Sequence, residues 1–107
     1  MEANSVRYTV EALPEDIPIR GHCMASGDDA IDEACALDIE RRLGCGNEWA
    51  WCVVRVRASA GGIHADAYLG ACSYASREDF EAGGYLPQLK EEALEELHGM
   101  VQHKAGA

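Results

Sequence analysis

Two consecutive glycines, Gly61 and Gly62, separate two runs of strand-like residues, and no other feature of the 107-residue chain restricts its folding so tightly. A Gly-Gly pair in this setting signals a two-residue hairpin, because the favoured turns need positive φ, which glycine adopts without steric cost. The turn dictates the register. Ala60 pairs with Ile63, which sets Arg57 opposite Asp66, Arg55 opposite Tyr68, Trp51 opposite Cys72 and Trp49 opposite Tyr74 on one face. The other face carries Ala50, Cys52, Val54, Val56 and Ala58 against Ala65, Ala67, Leu69 and Ala71, small apolar residues suited to close packing under helices.

The remaining segments supply a third strand and two helices. "SVRYTVEAL" alternates Val6, Tyr8 and Val10 with Arg7, Thr9 and Glu11, the period of a half-buried strand. "PEDIPIRGHCMASG" has too many prolines and glycines for regular structure and reads as a long ordered loop in which Ile17, Ile19 and Met24 can pack. Ser26, with Asp29 three residues on, predicts a capped helix from about Asp28 to Leu43. Its stripe Ile31, Cys35, Ile39 and Leu43 faces a core, and "GCGN" ends it. After the hairpin, Ser76 and Asp79 repeat the capping pattern, but "AGGY" limits that segment to a helical turn. "YLPQLKEEALEELHGMVQHK" then places Leu86, Leu89, Ala93, Leu97, Met100 and Val101 on one stripe of a second long helix, with Pro87 in its first turn. The expected fold is one α+β domain over residues 1–107, ordered from about 5 to 102. A three-stranded antiparallel sheet carries two amphipathic helices on one face, in the order β-α-β-β-α.

Composition narrows the partners. Nineteen acidic against nine basic side chains give a formal charge of -10, which disfavours direct binding to nucleic acid or anionic membrane and favours a basic protein partner. No apolar run is long enough to span a bilayer. The five cysteines, Cys23, Cys35, Cys45, Cys52 and Cys72, are odd in number and form no closely spaced pair, and the first residues lack a basic segment followed by an apolar run. A cytoplasmic protein with reduced thiols is expected. His22, Cys23, Cys45 and His64 never supply the two-to-four-residue ligand spacing of zinc sites, and "MASGDD" sets carboxylates where a phosphate would need positive charge. No enzyme activity, metal or cofactor is expected.

Two surfaces remain as binding candidates. Asp28, Asp29, Asp32, Glu33 and Glu40 run along the first long helix, and Glu91, Glu92, Glu95 and Glu96 along the second. Carboxylates three or four residues apart on a helix stand about 5–6 Å from one another, a spacing that can imitate a phosphate row, although a solvated face that keeps the chain soluble has the same composition. Trp49, Trp51 and Tyr74 form the alternative site, an aromatic patch that either covers one end of the sheet or docks a partner. Base stacking on that face fits the residue types but is opposed by the net charge.

The blocks "IPIRGHCMASGDDAIDEACALDIERRL", "NEWAWCVVRV" and "LGACSYASREDFEAGGYLPQLKEEAL", spanning roughly residues 16 to 97, resemble a family of small proteins encoded by bacteriophages and other mobile elements. That resemblance implies a genomic setting rather than a reaction. Small acidic proteins of such a setting include inhibitors of host defence, among them anti-CRISPR and anti-restriction proteins, and several imitate DNA. The resemblance therefore implies an inhibitor that meets a nucleic-acid-binding host component through its acidic rows, with a non-enzymatic adaptor acting through Trp49, Trp51 and Tyr74 as the alternative.

Overall fold

The computed structural model describes residues 6–24 and 26–106, with side chains described as far as residue 100. The chain is α+β: β1 (Arg7–Pro14), α1 (Asp29–Gly44), a 3-10 turn (Glu48–Ala50), β2 (Cys52–Ala60), β3 (Ile63–Cys72), α2 (Arg77–Ala82) and α3 (Leu86–Gly106). The three strands form one antiparallel sheet in the order β1-β2-β3. Gly61 (φ 58°) and Gly62 (φ 83°) make the hairpin turn, with both residues in the left-handed region. Ala60 pairs with Ile63, Arg57 with Asp66 and Arg55 with Tyr68, in the register the two glycines dictate.

That register breaks near the far end of the hairpin. Val54 faces Leu69 but Cys52 faces Cys72, so β3 carries one extra residue there, at Gly70 and Ala71. Ala71 adopts φ 51°, and its N–H donates to Glu15 Oε1 at 2.5 Å instead of to a strand neighbour. The expected pairing of Trp51 with Cys72 is therefore wrong by one residue. Ala71 turns out to solvent and Cys72 takes its place on the buried face. Trp49 lies in the 3-10 turn ahead of β2, although its carbonyl still accepts from Tyr74 N at 2.8 Å.

The small apolar face of the hairpin is covered by α3. Cys52, Val54, Val56, Ala58, Ala65 and Ala67 pack with Leu89, Ala93 and Leu97 in one core cluster. Phe80 of α2 fills its end, stacked on Trp49 at 5.8 Å and met edge-on by Tyr74 at 5.2 Å. The segment expected to be one helical turn is a six-residue helix. Ser76 Oγ accepts from Asp79 N, and Asp79 Oδ2 accepts from Ala75 N. This reciprocal cap stabilises a helix too short to form alone. Met100, assigned to the buried stripe of α3, is 43 % exposed, and Val101 lies outside the described side chains.

Contrary to the expectation of two helices on one sheet face, α1 does not lie beside α3 but packs on the 3-10 turn. Ile39, Ala50 and Trp51 make a second core cluster, against which Ile19, Cys23, Cys35 and Leu43 lean. Ile31, expected in that core, is 51 % exposed. Ile19 and Cys23 of the loop cover the helix beside Ile39, and at its first turn the loop meets the polar Asp32 through Ser26 without covering Ile31. Asp28, not Ser26, caps α1, accepting from Ala30 N at 2.9 Å and Ile31 N at 3.3 Å. Gly27 (φ 87°) turns the chain between the two, which leaves Ser26 Oγ to donate to Asp32 at 2.7 Å. At the other end Gly46 (φ 91°) supplies the expected glycine, and its N–H donates to Leu43 O at 2.9 Å. The molecule is elongated, measuring 56 × 23 × 21 Å.

Candidate partner-binding surface

The two acidic rows differ in what their carboxylates already do. On α1, Asp28 is the helix cap and Asp32 accepts from Ser26. Arg20 reaches from the loop and clamps Glu33 at 2.7 Å and Glu40 by a second close contact. The Arg20 guanidinium holds the Glu33 carboxyl below the ordinary carboxylate range, and Glu33 with Glu40 in turn raises the pKa of Arg20. Asp38, a neighbour outside the predicted row, is held low by Arg41 and Arg42. Of the row predicted on α1, Asp29 alone has no side-chain partner among the described residues. Most carboxylates of this row therefore already have a partner within the fold.

Helix α3 is different. Glu91, Glu92, Glu95 and Glu96 are all exposed, opposite the buried Leu89, Ala93 and Leu97. None has an ion-pair partner among the described residues, and the one hydrogen bond they receive there is from Gln88 to Glu92 at 3.4 Å. Lys90, inside the same stretch, is turned to the sheet, its Nζ 5.3 Å from the centre of the Tyr8 ring. The outcome is a ridge of four carboxylates in which Glu91 and Glu95, and Glu92 and Glu96, are one helical turn apart.

The aromatic candidates are not a surface patch. Trp49 is 9 % and Trp51 5 % exposed, and they belong to different core clusters. Trp51 Nε1 donates to the Ile17 carbonyl at 2.7 Å, which fastens the long loop over the ring. Tyr74 is half-buried against Phe80, and its burial pushes its hydroxyl above the ordinary tyrosine range. Trp51 thus lies beneath the loop and Trp49 beneath Phe80, so both serve as core, one of the two roles their sequence positions allow.

The uncovered sheet face is polar and mostly self-satisfied. Arg57 grips Asp66 with two hydrogen bonds, of 2.7 and 3.1 Å, and Arg55 pairs with Glu11 at 2.7 Å. At the hairpin end, Arg7, Arg57, Ser59 and His64 border an open groove of about 590 Å³. His22, Cys45 and His64 do not converge, and no three His, Cys, Asp or Glu side chains among the described residues are placed to hold a metal ion. No helix among the described residues is long and apolar enough to cross a membrane. In comparisons with protein-family models, with curated proteins and with solved structures, nothing matches this chain.

Proposed function

We propose that the chain is a phage or mobile-element inhibitor of a host defence system, of the anti-CRISPR kind, which presents the α3 ridge to the basic groove of a nucleic-acid-binding protein. The observation that carries this reading is the row Glu91, Glu92, Glu95 and Glu96, exposed and without ion-pair partners among the described residues, whereas every carboxylate of the predicted α1 row except Asp29 has a partner within the fold. A groove lined by Lys and Arg gains from meeting fixed negative charge, and the helix holds these four side chains on one rigid face at no further ordering cost to the backbone. The formal charge of -10 steers the encounter over a longer range. The elongated outline, 56 Å by little more than 20 Å, suits a groove shaped for a nucleic-acid strand or duplex. The motif resemblance to mobile-element proteins supplies the biological setting, and the partner is a basic protein in the bacterial cytoplasm.

Salt tests the reading. Affinity from an exposed carboxylate ridge falls steeply between low and high ionic strength, whereas an apolar interface is nearly indifferent to it. A host-defence nuclease bound equally well at low and high salt would rule out the ridge as the binding surface.

A further inference from the structure

Five free cysteines occupy three environments: Cys45 is exposed, Cys52 and Cys72 are buried, and Cys23 and Cys35 lie between. Cys52 and Cys72 stand directly opposite each other across β2 and β3, but the core closes over both. Burial pushes the Cys52 thiol up to about 12, so the thiolate that attacks a disulfide is scarce there. Cys45 has no cysteine beside it in sequence or in either core cluster.

Cys23 and Cys35 combine access with proximity. Cys23 ends a tight turn of the loop, its N–H donating to Ile19 O at 3.0 Å. Cys35 lies on the inner side of α1, one turn before Ile39. Both side chains lean on the same core cluster, made of Ile39, Ala50 and Trp51, and both remain partly open to solvent. Burial first, and the neighbouring Cys23 thiol second, push the Cys35 thiol above the ordinary cysteine range.

We propose that Cys23 and Cys35 form a dithiol site that closes to an intramolecular disulfide on reaction with a low-molecular-weight disulfide such as oxidised glutathione. One protein thiolate attacks a sulfur of glutathione disulfide, breaking its S–S bond and releasing one glutathione thiolate. The second protein sulfur then displaces the other glutathione from the mixed disulfide and forms the Cys23–Cys35 bond. The two protons lost by the protein thiols end on the two released glutathiones, and the two electrons lost by the protein reduce the small disulfide. The new bond ties the loop to α1 beside the Trp51 to Ile17 hydrogen bond and the Arg20 clamp on Glu33 and Glu40, two other links between loop and body.

The test uses the full chain, incubated with oxidised glutathione, blocked with iodoacetamide and mapped by peptide mass spectrometry. The expected result is a Cys23-to-Cys35 crosslinked peptide lighter by two hydrogens, with Cys52 and Cys72 recovered as thiols. The melting midpoint should rise by something on the order of 10 °C, because a short loop is closed in the unfolded chain. Dithiothreitol should reverse the rise, and Cys35→Ser should not show it. A persistent glutathione adduct on Cys23 beside a free Cys35 would overturn the proposal. So would a crosslink through Cys45, Cys52 or Cys72, or oxidation confined to Cys45. Should Cys35→Ser fail to fold, the peptide map of the unaltered chain decides alone.

Discussion

Replacing Trp51 with alanine should cripple the fold and leave the binding surface intact. The indole is 5 % exposed, packs with Ile39 and Ala50, and donates its one N–H to the Ile17 carbonyl at 2.7 Å. Truncating a buried tryptophan costs about 3–5 kcal/mol through lost transfer energy and the cavity left behind. A domain of this size has about 5–15 kcal/mol in total, and each kcal/mol shifts its midpoint by roughly 4–8 °C, so the variant should melt at least about 12 °C lower. Trp51→Phe keeps most of the ring but removes the donor. The Ile17 residue is exposed enough for water to replace the lost partner, so the loss should be only about 1–2 kcal/mol. Thermal and urea unfolding, followed by circular dichroism on both variants, give these numbers directly. A Trp51→Ala protein that melts within a few degrees of the original but no longer binds its partner would refute the core assignment and restore the aromatic adaptor.

Position 39 should respond to a charge as position 31 does not: Ile39→Asp puts a carboxylate at a 2 % exposed site and should unfold the domain, while Ile31→Asp, at a 51 % exposed site, should change stability by no more than about 0.5 kcal/mol in chemical denaturation. Ala71→Gly should raise stability by about 0.5–1 kcal/mol in the same assay, since φ 51° strains a residue with a Cβ and not glycine. Asp66→Asn should show a pH signature, because the Arg57 guanidinium holds the Asp66 carboxyl below its ordinary value. A depressed folded-state value contributes stability above the unfolded pKa of about 3.9 that is lost as pH falls through the folded one. The original should therefore exceed the variant at neutral pH and converge with it in acid, as read from melting midpoints across a pH series.

The hairpin was legible because two glycines and an alternating pattern act locally, and the pairing of Arg57 with Asp66 follows from counting outward from the turn. The bulge at Gly70 and Ala71 was not, since what holds it is the Glu15 carboxylate, remote in sequence, accepting from Ala71 N. Periodicity found the buried stripe of α3 in Leu89, Ala93 and Leu97. On α1 it overreached. The stripe from Ile31 to Leu43 is continuous in sequence, but the 3-10 turn and loop cover it from Cys35 onward and leave Ile31 exposed. Periodicity does not mark Phe80, because a helix of six residues is too short to show one; the available signal is the chain's one phenylalanine, four residues after a capping serine. The acidic rows could be listed from sequence, but their inequality could not. That Arg20 would cross from the loop to Glu33 and Glu40 depends on the tertiary position of the loop.

The most direct test of the acidic ridge is the displacement of duplex DNA from purified nucleic-acid-binding components of bacterial defence complexes, by the original chain and by the triple variant Glu92→Lys, Glu95→Lys, Glu96→Lys. These positions are exposed, so the variant should stay folded by circular dichroism and lose less than about 0.5 kcal/mol per substitution. The account predicts that the original chain displaces DNA from at least one such component, with an affinity that weakens steeply as salt rises, and that the folded variant does not displace it. It is contradicted if the folded variant displaces DNA as well as the original does at physiological salt, or if the original displaces none.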